Sequence, residues 1–247
     1  MIKTGKRQAG CGSNWFESSA YDWMIRLAIV LVFTLLILGS VNGIIQTAVN
    51  WKHEALDHTL LNMAARVSIT LFLALMTVTT LTRLPPISKA AGIEPRISAL
   101  LGTFFLNILA TLPRAELAPI SLAISSVLVI AGMAASFVVL RWLGKSFSIM
   151  AEARQLITHG PYAFVRHPLY ICEEIAAIGI FMQFRSPVAL IILMAHAFFQ
   201  FRRMLNEERI LKTTFAEYES YAERTPRLIP RRWVGWIPTG TPAEVAR

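Results

Sequence analysis

The stretch "MIRLAIVLVFTLLILGSVNGIIQTAV", Met24 to Val49, carries one charged residue, Arg26, close to its start. A helix needs about 20 apolar residues to cross the hydrocarbon core of a bilayer, and this run supplies more. It is too long for the core of a signal peptide and follows a polar stretch, so a retained span is expected rather than a cleaved peptide. The composition agrees. The chain is 55% hydrophobic and 16% charged, with mean hydropathy +0.52, whereas soluble domains carry about a quarter charged residues.

A net charge of +9 raises the question of nucleic acid. The basic residues stand at the ends of apolar runs, as membrane-topology signals do, and no nucleic-acid partner is expected. Cys11 and Cys172 are the two cysteines. One precedes the first run and the other lies inside a later one, which indicates no disulfide framework, and no ligand spacing suggests a metal.

Three further runs follow at Leu60–Leu81, Ile97–Leu112 and Leu117–Leu143; the third span is short, ends at Pro113 and turns into the fourth through "TLPRAEL". Two shorter runs, Leu169–Phe184 and Val188–Phe201, are separated by "RSP" and read as a second hairpin, tilted or broken. Shortened, polar-interrupted spans often line a site, because irregular backbone is tolerated at membrane depth only where protein or water covers it. With the N-terminus inside, the outer connections hold only Lys52, Arg114 and Arg185, and Arg66 lies within a span. The rest of the 24 Lys and Arg fall inside. This asymmetry predicts six crossings with both termini cytoplasmic. The expected fold is all-α: a polytopic membrane helix bundle ending in a helical hairpin and an interfacial cytoplasmic tail helix. Two regions are expected, 1–143 with four spans and 144–247 with the polar chemistry.

That chemistry is concentrated in "HGPYAFVRHPLYICEE", His159 to Glu174. Pro168 suits the first position of a helix. Arg166 and His167 then stand just before a helix N-terminus, whose free N–H groups attract anions. Glu173 and Glu174 follow in the second turn, where the helix dipole has faded, so at least one of them is expected to face a cation. On the last span His196, Gln200, Arg203 and Glu207 share one helix face. This stripe reads as inter-helix hydrogen bonding with a snorkelling arginine, or as one wall of a polar pocket. The tail stretch "NEERILKTTFAEYESYAER" has Ile210, Phe215, Tyr218 and Tyr221 near helical spacing, and Pro226 and Pro230 end it. No GxGxxG fingerprint is present.

"GPYAFVRHPLY" at Gly160–Tyr170, followed by "NEERIL" and "FAEYESYAERTPRLIP", resembles the isoprenylcysteine carboxyl methyltransferase family. That family belongs to a wider group of integral-membrane methyltransferases that includes phospholipid N-methyltransferases. The likeness covers about Lys145 to Pro230. It implies S-adenosylmethionine as methyl donor, held near the cytoplasmic ends of the last helices by His159, Gly160, Pro161, Tyr162, Arg166, His167, Pro168, Tyr170, Glu207 and Glu208. Glu207 or Glu208 would take the donor's ammonium, Arg166 and His167 its carboxylate, and a tyrosine face its sulfonium. Cys172 stands where a glycine is common in the family, which bears on how closely that helix packs.

The partner implied is a hydrophobic or lipid-linked acceptor reached from membrane lipid. Candidate catalytic residues are Arg203, to orient a carboxylate such as that of a prenylcysteine, and Glu173 or Glu174, as base for an amine. If the chain is bacterial, the inner membrane is its expected location. A phospholipid N-methyltransferase and a sterol-reductase-like enzyme using NADPH are the alternative enzymes. A structural or transport subunit is the reading without catalysis.

Overall fold

The computed structural model describes residues 19–49 and 56–230. The leading basic cluster, Cys11, Lys52 and residues 231–247 lie outside the described residues. The described residues form seven α-helices: α1 Ser19–Val49, α2 Leu56–Thr82, α3 Glu94–Phe104, α4 Pro119–Leu143, α5 Pro168–Met182, α6 Pro187–Thr214 and α7 Tyr218–Arg224. Four of them contain stretches long and apolar enough to cross a membrane, at Ala20–Val49, Thr59–Thr82, Pro119–Ser146 and Pro187–Thr214. Their outer faces are apolar. On α1, Leu27, Leu31, Leu35 and Leu38 are all exposed, a one-sided stripe suited to lipid.

Where six spans were expected, the described residues hold four long helices and two shorter ones, α3 and α5. The third run is helical only to Phe104 and continues as a 3₁₀ turn, Phe105–Thr111, where the Asn107 amide donates to the Phe104 carbonyl at 3.0 Å. Helix α5 has 15 residues and rises about 22 Å, less than the hydrocarbon core. Helix α6 runs well past the predicted Phe201, because the polar residues that follow are buried against protein: Arg203, Asn206 and Glu208 are each at most 8% exposed.

The expected hairpins pair differently in space. Helix α4 packs along α5 and α2, and α3 packs along α6. Small residues set these choices, because without a hydrophobic drive between helices in lipid the close approach of backbones supplies the contact energy. A Cβ on Gly132 of α4 would lie 2.6 Å from Ala176 N and 2.7 Å from Cys172 O, and one on Gly179 of α5 would lie 2.8 Å from Ser125 O. Ser125 donates to the Gly179 carbonyl at 2.8 Å. The glycine that Cys172 replaces is therefore not needed for close packing here, since the opposing Gly132 supplies the space. Gly102 admits α6 to α3 in the same way, 3.2 Å from Gln200 N.

At one end of the bundle two short strands, β1 Ser88–Lys89 and β2 Glu152–Ala153, pair antiparallel with Ser88 opposite Ala153. Beneath them a buried ionic cluster joins the start of α1, the end of α2 and β2. Asp22 meets Arg26 at 2.7 Å and Arg83 at 2.9 Å, while Glu152 pairs with Arg154 and lies 4.0 Å from Arg83. The tail closes the same end. After α6 stops at Thr214 the chain turns, and α7 buries Tyr218 and Tyr221 against the connection before α5. The expected continuous tail helix is therefore two helices, broken at Phe215, whose backbone is extended.

Candidate functional site

The segment from His159 to Tyr170 forms the floor of this end. Gly160 has φ +63°, and a Cβ there would lie 2.7 Å from the Trp142 ring. Both the turn and the close approach demand glycine. Pro161 opens the short 3₁₀ turn Gly160–Ala163, and Pro168 opens α5. His159 is exposed and stands edge-on to Trp142, with centroids 5.7 Å apart. The N–H groups of Arg166 and His167 donate to Pro226 O and Arg227 O at 2.9 and 3.2 Å. The tail therefore occupies the two backbone donors that immediately precede α5.

The two glutamates of "NEER" part company. Glu208 is clasped by Arg166 at 3.0 Å, by Arg227 at 2.6 Å and by the His167 imidazole at 3.0 Å. Its carboxylate fastens the tail to the start of α5. Glu207 points elsewhere, accepting from the Tyr170 hydroxyl at 2.8 Å and bordering a small cavity of about 40 Å³. Tyr162, Arg166 and His167 border the same cavity, together with Glu152, Arg154, Tyr218 and Tyr221.

Of these, Glu152, Arg154, Tyr218 and Tyr221 were not singled out as site residues by sequence. The tyrosines were legible only as a helical spacing, and nothing local marked Arg154. Arg154 is 4% exposed, and its Nε and Nη1 have no hydrogen-bond partner among the described residues. Burial pulls its guanidinium below the usual value, opposed by Glu152. Burial and the Glu208 carboxylate push the Tyr218 phenol up to about 12. Burial and Glu207 raise Tyr162 well above the ordinary range. The cavity is thus walled by neutral phenols, the carboxylates of Glu207 and Glu152 and the guanidinium groups of Arg154 and Arg166.

From Glu207 a polar chain runs inward. Tyr170 donates to Glu207, and the Arg203 guanidinium lies 5.1 Å from the Tyr170 ring centroid. Arg203 also donates to Ile149 O at 3.1 Å, Ser148 O at 3.4 Å and Gln200 Oε1 at 3.4 Å. Gln200 donates to Glu173 at 2.8 Å. Glu173 and Gln200 then border a second cavity of about 310 Å³, enclosed by all six long and short membrane-region helices and walled mainly by apolar side chains such as Phe72, Met76 and Met133. Arg203 lies between the two cavities and borders neither.

Glu174 faces outward on the other side of the α5–α6 seam. It stands 3.5 Å from His196 and borders an apolar groove with Ile175, Ile178 and Phe201. The adjacent carboxylates therefore serve different spaces. Among the described residues no group of three or more His, Cys, Asp or Glu side chains is placed to hold a metal.

Residues 114–218 match the phospholipid methyltransferase family, in line with the likeness read from "GPYAFVRHPLY" and "NEERIL". The chain is also 35% identical over 81 residues to a nickel-cobalt-cadmium resistance protein, NccN, of Alcaligenes xylosoxydans xylosoxydans. That stretch is 32% of this chain and 38% of that protein. It is 36% identical over 77 residues to a cobalt-zinc-cadmium resistance protein, CzcN, of Cupriavidus metallidurans, covering 31% of this chain and 36% of that one. The matches thus span little more than a third of either relative.

Proposed function

We propose that this protein, whose residues 114–218 match a membrane methyltransferase family, transfers a methyl group from S-adenosylmethionine to a hydrophobic or lipid-linked acceptor. One observation carries the reading. A small polar cavity at the loop end is joined by an unbroken chain of side chains to a large apolar cavity inside the bundle. That is the layout needed when a water-soluble donor and a membrane-borne acceptor must meet.

The residues of the small cavity suit the donor's charges. Glu207 would take the ammonium, Arg154 with its unused nitrogens and Arg166 would take the carboxylate, and the faces of Tyr162, Tyr218 or Tyr221 would lie against the sulfonium. The donor supplies an electrophilic methyl group. What this chain supplies is alignment, exclusion of water and the acceptor's environment. At about 40 Å³ the cavity has room for little more than water. Admitting the donor therefore requires this end of the bundle to open.

What faces the large cavity at its inner end bears on the acceptor class. Glu173 is there and Arg203 is not. A carboxylate would repel the prenylcysteine-type acid and attract an amine, from which it could also accept a proton. This placement favours an amine acceptor. Glu208 and Arg203 are best understood as positioning residues, the first locking the tail and the second holding Tyr170 and Gln200.

Titration calorimetry of the purified protein with S-adenosylmethionine and, separately, with NADPH tests the donor assignment. Labelled-methyl transfer into a native lipid extract tests the reaction. Binding of NADPH with none of S-adenosylmethionine would replace this reading by the reductase one. Absence of both binding and transfer would leave a structural or transport role.

A further inference from the structure

The end of the large cavity remote from Glu173 is basic. Arg66 of α2 and Arg114 of the α3–α4 connection both border it. Neither makes an ion pair with a carboxylate among the described residues. Arg66 is half-buried within the span Thr59–Thr82. A charged side chain at that depth costs a few kcal/mol and marks a functional site by default.

Its place is also prepared. A Cβ on Gly43 of α1 would lie 2.0 Å from Arg66 Nη1 and 2.6 Å from Cζ. The guanidinium is thus laid across a helix that has no side chain at that point. Asn62 and Gln183 add neutral polar groups to the same end. The Ala115 N–H donates to the Gln183 carbonyl at 2.9 Å, which fixes Arg114 at the level where α5 ends. Glu173 lies ten positions earlier on α5, roughly 15 Å away along the axis. The cavity therefore has a carboxylate at one end, an apolar middle and, at the other, two guanidinium groups with no ion pair among the described residues.

We infer that this cavity binds an amphiphile whose anionic group, a carboxylate or phosphate, is held by Arg66 and Arg114 at the end remote from Glu173. That this amphiphile is the methyl acceptor rests on the methyltransferase reading above; the binding site itself does not. An arginine pair recognises such oxygens through charge-assisted hydrogen bonds. At about 310 Å³ the volume lies at the lower end of the range for small-molecule sites.

The test uses the purified full chain and labelled tetradecanoate as probe, with tetradecanol as the uncharged counterpart and inorganic phosphate as competitor. Wild-type protein is expected to bind the acid more tightly than the alcohol. Arg66→Gln and Arg114→Gln should each weaken the acid by at least about tenfold and leave the alcohol unchanged. Arg66→Lys should stay close to wild type, which separates loss of charge from loss of fold. Equal binding of acid and alcohol, or an unchanged acid affinity in both glutamine variants, overturns the inference. Phosphate competing as well as the acid assigns the arginines to a free anion and overturns the amphiphile. S-adenosylmethionine affinity is measured on the same samples. Arginine-dependent acid binding without donor binding would sink the methyltransferase reading and leave this site standing.

Discussion

At the residue scale the instructive cases are the paired glutamates. Adjacent positions on a helix point about 100° apart, so Glu207 and Glu208 cannot share a role, nor can Glu173 and Glu174. Glu208 is consumed by Arg166, His167 and Arg227, whereas Glu207 borders the small cavity. Glu207→Gln is therefore expected to weaken S-adenosylmethionine by about tenfold or more, since it removes one charge-assisted contact; calorimetry would show it, and wild-type affinity would refute the assignment. Glu208→Gln should instead loosen the tail, read as faster tryptic cleavage at Arg224 and Arg227. Glu173→Gln should keep donor affinity and lose about 10² or more in methyl transfer, the usual contribution of a general base. Full turnover in that variant would return Glu173 to a packing role with Gln200. The sequence placed both pairs near the site. It left open which member faces inward, because that depends on the rotation of α5 and α6 about their axes.

At the element scale the bundle is decided by small residues at the α4–α5 and α3–α6 contacts. Gly132→Leu would drive a side chain into the backbone of α5, where the available gap is 2.6 Å. Overpacking of that kind costs about 1–3 kcal/mol or more and should lower the melting temperature clearly. Gly39→Leu is the control, because nothing lies within 4 Å of a Cβ there, and it should change stability little. The helices themselves were legible in the sequence as apolar runs of the right length. Their partners were not. "TLPRAEL" and "RSP" look like hairpin turns, yet α3 goes to α6 and α4 to α5, since a short connection fixes only chain direction while the complementarity of helix faces fixes the neighbour.

At the scale of the whole molecule, Arg83 links the two regions that the sequence divides near residue 143. It is 4% exposed and reaches Asp22 at 2.9 Å and Glu152 at 4.0 Å. Removing one member of such a buried cluster leaves the others uncompensated, at about 3–5 kcal/mol. Arg83→Gln is expected to destabilise the protein strongly and to weaken donor binding through Arg154, as thermal unfolding and calorimetry on the same sample would reveal. Unchanged stability would show that the cluster is solvated in the membrane-bound protein. Sequence by itself determined that the chain is a helical membrane protein, where its polar chemistry is concentrated, and which family the stretch from about Lys145 to Pro230 resembles, because hydropathy and motif spacing are local properties. Only the tertiary structure decided that the polar residues divide between two cavities joined through Tyr170, Arg203 and Gln200. It alone brought Arg154 and the α7 tyrosines to the first cavity and Arg66 and Arg114 to the second. Those juxtapositions join positions from tens of residues to more than a hundred apart along the chain, and packing of helix faces, which no local pattern encodes, is what brings them together.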